Sequence, residues 1–432
     1  MAVTKTKQFE VAIIGGGIAG LTLAIALHYR NVPFVIYEQA PAFGEIGAGV
    51  SFSPNAVQAM KKCHTGVYEA FEKVCTRNVW PSKRKVWFDY LDSYCDGADP
   101  AGGQPATFTI SNELGQNGVH RARYLDELVK MLPQSAARFG KRLNDVQEMP
   151  DGKLLMTFED GTAEYTDAVI GCDGIKSRVR RFVVGDDHPS TLPSYTHKYA
   201  YRGLVPMKDA IAAIGEERAL NACMHMGYDG HVLTFPVDHG SVLNIVAFRT
   251  TSEDWPDPQR LTRQGQRSDL LKDFENYRPE VKDLLRLTKP DLDVWAIYDL
   301  GDNPLPFFHK NRICVVGDAA HATSPHHGAG AGFCIEDSAI LAELLADERI
   351  TEPQQLSHVF AAFDEERRER GQWLVQSSRR IGDCYEWRAE GVGRDYAKIE
   401  AEINERNGII ANVDFDKLCS DAKTTLGRLI TV

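Results

Sequence analysis

Three glycines and one acid near the start of the chain carry the first chemistry. Gly15, Gly17 and Gly20 have the spacing G-x-G-x-x-G, and Glu38 follows about 20 residues later. Gly15 permits a tight turn, Gly17 offers no side chain to keep a pyrophosphate off the backbone, and Gly20 lets a following helix pack closely on the preceding strand. The diphosphate would rest on free N–H groups at a helix N-terminus, where the helix dipole favours negative charge. Glu38 would accept hydrogen bonds from the hydroxyls of an adenosine ribose. An ordinary βα turn shares the glycines; the acid in step with them is what points to a dinucleotide.

Further groups are spread along the chain. Asp173 precedes Gly174 after the buried run Ala168–Cys172, and Asp318 follows Gly317 after Arg312–Val316. Singly, the first is an ordinary turn and the second an ordinary N-cap. The stretch Ser324-Pro325-His326-His327-Gly328-Ala329-Gly330-Ala331-Gly332 is so rich in glycine that backbone can lie against a flat ligand. A helix after it would present N–H groups to an electron-rich ring. Arg202 stands in the otherwise apolar run Tyr199–Pro206. It is either salt-bridged structure or a ligand for an oxyanion, since a guanidinium is always charged and forks to two oxygens; the ligand role is favoured. His231 and Phe235 lie four apart on one expected strand and so face one side, where they would line a pocket with Arg202. A satisfied core histidine is the other reading of His231. The basic run Lys176, Arg178, Arg180 and Arg181 reads equally as a phosphate contact or a solvated helix face. No H-x-x-x-H pair or paired carboxylates argue for a metal, and none is expected.

These groups need elements to hold them. Val11–Ile14 reads as a strand, Leu21–Leu27 as a helix and Pro33–Tyr37 as a second strand, a βαβ unit. Asp151-Gly152 and Asp160-Gly161 read as hairpin turns. Between Asp186 and about Pro290 the runs Tyr199–Pro206, His231–Val237 and Val242–Phe248 alternate like antiparallel strands of a second sheet. Beyond Leu345 the chain turns helical and charged, its charges read as a solvated face. With 432 residues there is room for two or three domains. A net charge of -11 argues against a general nucleic-acid surface. Nine scattered cysteines without metal-ligand spacing suit free thiols in a reducing, cytoplasmic setting. The apolar stretch Val11–Leu27 is short of the roughly 18 residues a span needs and has glycine at its centre, so neither a signal peptide nor a membrane span is expected.

Taken in chain order, the glycine motif, Asp173-Gly174 and Gly317-Asp318 resemble the single-component, FAD-dependent aromatic hydroxylases of the para-hydroxybenzoate and salicylate hydroxylase kind. The resemblance runs from Val11 to about Leu345. It implies an α/β fold: a Rossmann-like FAD-binding domain (1–80, 106–185 and 287–350), an inserted, mainly antiparallel β-sheet substrate domain (81–105 and 186–286), and a C-terminal helical region (351–432). It implies that Gly15, Gly17, Gly20 and Glu38 hold the ADP half of FAD, that Arg121 contacts the diphosphate, and that Asp173 serves FAD and NAD(P)H contacts. By the same resemblance Asp318 bonds the ribityl chain, Ala48 and Gly49 lie near the isoalloxazine, and Gly328, Ala329, Gly330 and Ala331 follow the pyrimidine side of the flavin. A single G-x-G-x-x-G suits a family in which NADPH or NADH docks transiently.

The implied activity is hydroxylation of a phenolic ring by O₂ through a flavin C4a-hydroperoxide, with Arg202 holding the phenolate and one of His326 and His327 orienting the phenol or taking its proton. The Ser-Pro-His-His-Gly segment and the Tyr-Arg-Gly strand resemble fungal polyketide hydroxylases of tropolone, sorbicillinoid and azaphilone pathways, which dearomatise resorcinol-type rings bearing an acyl or formyl group. The azaphilone branch is the nearest, because Phe235 stands where the other types are expected to carry a phenol-anchoring tyrosine. His120, Tyr124 or Tyr201 would have to supply the missing donor. A salicylate-type decarboxylating hydroxylase, another FAD oxidoreductase and a non-catalytic flavin-binding protein are the alternatives. The expected partners are a small phenol and O₂, with neither nucleic acid nor membrane, in a monomer or homodimer.

Overall fold

The computed structural model describes residues 6–44, 49–96 and 105–431. Ala48, one of the expected flavin neighbours, lies outside them. Val11–Ile14 is buried at all four positions and pairs in parallel with Phe34–Glu38 on one side and Ala168–Gly171 on the other. Such double-sided burial is what unbroken apolar runs in parallel strands require. Ile313–Val315 extends the sheet beyond Ala168–Gly171, and Ala137–Phe139 extends it beyond Phe34–Glu38.

The helix Ile18–His28 is apolar all round because it is covered all round: its residues from Ile18 to Leu27 are all buried. It packs on the helix Gly330–Ala346, to which Thr22 Oγ1 and Ser338 Oγ tie it by a 3.0 Å hydrogen bond. Gly20 earns its place by contact, since a Cβ there would sit 2.0 Å from the Gly15 carbonyl oxygen.

The second sheet has eight strands, with Ser194–Pro206, Val242–Thr250, Gly230–Val237, Cys223–Gly227 and Val86–Asp92 as neighbours in that order. Register aligns one residue from each of these strands: Arg202, Val246, Leu233, Met224 and Tyr90. Residues paired across a ladder share a face, so these five form one row. A parallel row holds Ala200, Phe248, His231 and Met226, and another holds Leu204, Asn244 and Phe235.

Two strands fall on the other side of the expected bounds. Phe108–Ser111 and Asp291–Asp299, placed within 106–185 and 287–350, both pair in the eight-stranded sheet. The physical reason is that an inserted sheet needs its entry and exit strands bonded inside it, so the Gly- and Pro-rich run before 106 joins two strands of one sheet and is not a domain border.

Leu356–Tyr385 is a single helix of 30 residues, followed by the helices Tyr396–Ala411 and Phe415–Ile430. The last packs back on the long helix and on Gly330–Ala346. The solvated-face expectation fails at Arg367, which is fully buried. Its guanidinium donates to Asp337 Oδ1 and Glu336 Oε2, each at 2.7 Å. Asp337 Oδ2 also accepts from Gly317 N at 2.9 Å and bonds His321 Nε2 at 2.6 Å, while Glu336 accepts from Arg370 and Asn55. Buried charges of this kind are tolerated only as a closed set. Arg367→Met, which leaves both acids short of a cation, is expected to lower stability by about 3–5 kcal/mol; a denaturant midpoint equal to wild type would refute the account.

Candidate active site

A cavity of about 760 Å³ lies between the first sheet, which His309–Lys310 completes as its sixth strand, and the face of the eight-stranded sheet. Gly15, Gly17 and Glu38 line one end; Arg202, Leu233, Phe248 and His326 line the other.

The first end is a turn that exposes backbone. Gly15 has φ +104°, and a Cβ on it would meet the Cys172 carbonyl oxygen at 2.5 Å. Gly17 is the N-cap of the Ile18–His28 helix, and nothing lies within 4 Å of where its Cβ would be. The open space there is the cavity, and the first helical N–H groups face a place where a diphosphate fits. Glu38 is fixed beside it, accepting from Gly16 N at 2.6 Å and Ala40 N at 2.8 Å. Arg121, which opens the helix Arg121–Val129, lines the same cavity.

Asp173 also lines the cavity, but much of its bonding capacity goes to its own loop. It accepts from Ser177 Oγ, Arg178 N and Val179 N at 2.6, 2.7 and 3.1 Å, capping the helix Val179–Val184. Burial raises its pKa, and these bonds pull the other way. Asp318 heads the short helix Asp318–His321 and follows Gly317 at φ +62°, the residue whose N–H Asp337 holds. Gly49, Gly328, Gly330 and Ala331 are also in the wall. Ala329 is not: it is buried with Phe333 and Leu374 behind the wall. Gly20 is likewise a packing residue rather than a lining one. An open glycine at a helix N-terminus, an acid beside it, an arginine and a glycine-lined floor fit FAD.

At that sheet, Arg202 has no carboxylate partner among the described residues. Its guanidinium lies 4.5 Å from the Trp295 ring centre, and its buried Nε has no hydrogen-bond partner. Burial, then the nearby Arg121, pulls its pKa down to about 10, which leaves it charged at neutral pH. The salt-bridged alternative for Arg202 is therefore not what the fold builds.

The histidines part company. His326 is buried in the cavity wall with both ring nitrogens unpartnered. His327 Nε2 bonds Ser377 Oγ at 2.9 Å, and burial pushes its pKa down to about 3. His231 does not line the cavity; it is stacked on Phe248 and bonded through Nδ1 to Glu386 Oε1 at 3.1 Å. Its one-sided relation to Phe235 holds, but the rings of Phe248 and His326 stand around it. Phe235 lines the cavity edge and abuts the backbone, for a Cβ on Gly49 or Gly118 would lie 2.7 Å from its ring.

The expected substitute donors do not reach the cavity. Tyr201 is on the opposite face of its strand with its hydroxyl on Asp273, Tyr124 is buried with its hydroxyl 3.5 Å from the Val67 carbonyl, and His120, paired opposite Gly49, is not in the wall. Two other tyrosines are. Tyr90 and Tyr385 line the cavity with their ring centres 5.8 Å apart, and burial raises both pKa values. The aromatic, mostly apolar run from Val86 to Leu91 is the signal that would have found Tyr90; Tyr385, at the end of a charged helix, carries none. Of the basic run, Arg180 is fully buried and donates to the carbonyls of Ile175, Thr191 and Ala319, so it is neither solvated nor a phosphate contact, while Lys176 and Arg178 reach the cavity.

A two-sheet molecule with a dinucleotide turn at one end of a cavity and a cationic, aromatic-lined chamber at the other is built like a flavoprotein oxygenase. Residues 8–378 match the FAD binding domain family, and the chain belongs to it. It is 45% identical to FAD-dependent monooxygenase pigN of Monascus ruber, over 96% of each chain. It is 38% identical to salicylate hydroxylase asL1 of Sarocladium schorii, over 96% of this chain and 91% of that one. A solved salicylate hydroxylase substrate complex superposes with a TM-score of 0.84 at 33% identity, covering 96% of this chain and 98% of that one. The protein is an FAD-dependent monooxygenase. No helix among the described residues is long and apolar enough to cross a membrane, and no cluster of three metal-ligating side chains occurs among them.

One outcome tests this site, and a second tests the buried histidines of the fold, among them His225, which lies in the strand Cys223–Gly227, bonded to Ser93 Oγ and outside the cavity. Gly17→Val, which fills the approach to the turn, is expected to fold with an unchanged far-ultraviolet circular dichroism spectrum yet purify without yellow absorbance; wild-type flavin content would contradict the placement. His225 and His327, both held near pKa 3 chiefly by burial, stay neutral in the fold but charge below about 6.5 when unfolded. Their contribution is complete above pH 6.5 and is lost as pH falls towards 3, at about 1.4 kcal/mol per pH unit for each. Denaturant midpoints at pH 7.5 and 5.5 should differ accordingly, and equal midpoints would refute the buried-neutral assignment.

Proposed function

We propose that the enzyme hydroxylates a phenolic ring at the expense of NADPH or NADH and O₂, in an oxidative dearomatisation of a resorcinol-type polyketide aldehyde or ketone. The observation that carries this reading is the unpaired guanidinium of Arg202 in a row otherwise made of Val246, Leu233, Met224 and Tyr90. A cation in apolar surroundings without a protein partner calls for an anionic ligand, and a phenolate is the anion that an electron-rich arene supplies.

FAD bound along the glycine wall would supply reducing power and activated oxygen. The chain's own residues do the rest. Arg202 lowers the pKa of the substrate hydroxyl by holding its conjugate base. Leu233, Val246 and Phe248 keep water from the reacting face. Phe235 brings no hydroxyl, so the second polar contact to the ring falls to the Tyr90–Tyr385 pair. His326, whose two buried ring nitrogens have no partner, is the acceptor we favour for the phenol proton over His327, whose Nε2 is already bonded to Ser377.

A second reading has its own support. The similarity to salicylate hydroxylases favours a substrate carboxylate on Arg202 and loss of carbon dioxide on hydroxylation. Products from a panel of resorcinol aldehydes and salicylates, incubated with NADPH and identified by mass, separate the two. A non-aromatic product one oxygen heavier supports dearomatisation, a decarboxylated catechol supports the second reading, and NADPH oxidation without either contradicts both. Arg202→Ala is expected to keep its flavin and lose hydroxylation by about 10²–10³-fold; full activity would remove Arg202 from the reaction.

A further inference from the structure

Behind the cavity wall lies a line of buried polar groups that the reaction has not yet used. Glu386, just past the end of the long helix, is fully buried. It pairs with Lys198 Nζ, accepts from Thr250 Oγ1 at 2.5 Å and bonds His231 Nδ1 at 3.1 Å. Lys198 also reaches Asp383 at 3.1 Å, whose side chain is 41% exposed. His231 is fully buried, and its Nε2 has no partner. The His231 and His326 ring centres are 5.2 Å apart, and neither His326 nitrogen has a partner.

The carboxylate fixes the tautomer. Held ionised by Lys198 and His231 in spite of burial, Glu386 can only accept, so His231 must donate its Nδ1 proton and keep a lone pair on Nε2. The nearest ring that could turn a nitrogen towards that lone pair is His326, its centre 5.2 Å from that of His231. We propose that Glu386 and His231 are positioning residues for His326, which takes the proton of the substrate phenol and is stabilised as an imidazolium through His231 by the Glu386 carboxylate. This inference rests on the phenol-hydroxylase reading above. In the step the phenol O–H bond breaks and an N–H bond forms on His326, while its other N–H turns towards His231 Nε2. One proton moves, no electrons do, and the phenolate is left on Arg202. Solvent entering as product leaves takes the proton back. The titratable groups facing His326 are His231, Lys198 and Glu386 from the sheet and helix end and His327 of its own turn; burial first, then His231 and Lys198, pull its pKa well below the ordinary imidazole value, and the Glu386 carboxylate is the one group that pulls it back up.

The test compares His231→Gln and Glu386→Gln holoenzymes with wild type on two ligands: a phenol that is neutral at pH 7, and an analogue with electron-withdrawing substituents that is already ionised. His231→Gln leaves the Lys198–Glu386 pair intact, so it covers the case in which Glu386→Gln does not fold; bound flavin absorbance checks each preparation. The expected result is a loss of about 100-fold in kcat on the neutral phenol, within the range of general-base effects. Wild-type-like turnover of the ionised one, and recovery on the neutral one as pH rises, complete the pattern. Without turnover, the phenolate absorbance of ligand bound to the oxidised protein should appear at a pH higher by about one unit or more in His231→Gln. Equal losses on both ligands, or no loss on the neutral one, would overturn the positioning role while leaving the hydroxylase reading standing. Absence of hydroxylated product from every phenol with wild type would overturn that reading and this inference with it.

Discussion

A cation set in a sheet face without a protein anion is the constraint on which the proposed chemistry of this molecule turns. Arg202 loses hydration on entering the sheet face and recovers only the attraction of the Trp295 ring. Nearby Arg121 makes its position less favourable still. Such a residue persists in a fold when a ligand completes it, and the row it belongs to determines what the ligand meets: hydrocarbon along the strands and, at the far end, the Tyr90 hydroxyl. Charge, dryness and a hydrogen-bonding group are thereby set on one surface by strand register alone.

Elsewhere the fold closes its buried charges, and the contrast is instructive. Arg367 meets Glu336 and Asp337, and the same Asp337 holds the backbone N–H of Gly317, so the turn that presents Asp318 is fastened to the long C-terminal helix. Glu386 meets Lys198 and His231 at the other end of that helix. The helix Leu356–Tyr385 thus braces both halves of the cavity, from the glycine floor to the sheet wall. Its charged face is a set of bolts where the amino-acid pattern reads as a solvated surface.

Legibility follows the distance over which a contact is made. Gly15, Gly17, Gly20 and Glu38 were readable because the dinucleotide turn is local: strand, turn and helix lie within a few residues, and each glycine answers a need of the backbone at its own position. Arg202 stood out because a charge in an apolar strand breaks the local pattern. Ala329 was placed beside the flavin by the resemblance, yet as the N-cap of the helix Gly330–Ala346 it packs with Phe333 and Leu374. The bounds near 105 and 286 were misplaced because β pairing, not composition, decides which sheet a strand joins.

From the order of residues alone come the cofactor turn, the alternation that makes the second sheet, and the presence of an arginine in need of an anion, since each is a property of neighbours along the chain. The tertiary structure decided that His326 and His327 line the cavity while His231 does not, that the Tyr90 and Tyr385 rings lie side by side in its wall, and that Glu386 stands behind His231. Those pairings join residues 155 positions apart for His231 and Glu386, and only the packing of a helix end against a strand brings them within reach. A side chain's type says what it can donate or accept; its partner, and so its protonation and its role, is fixed by what the fold sets against it.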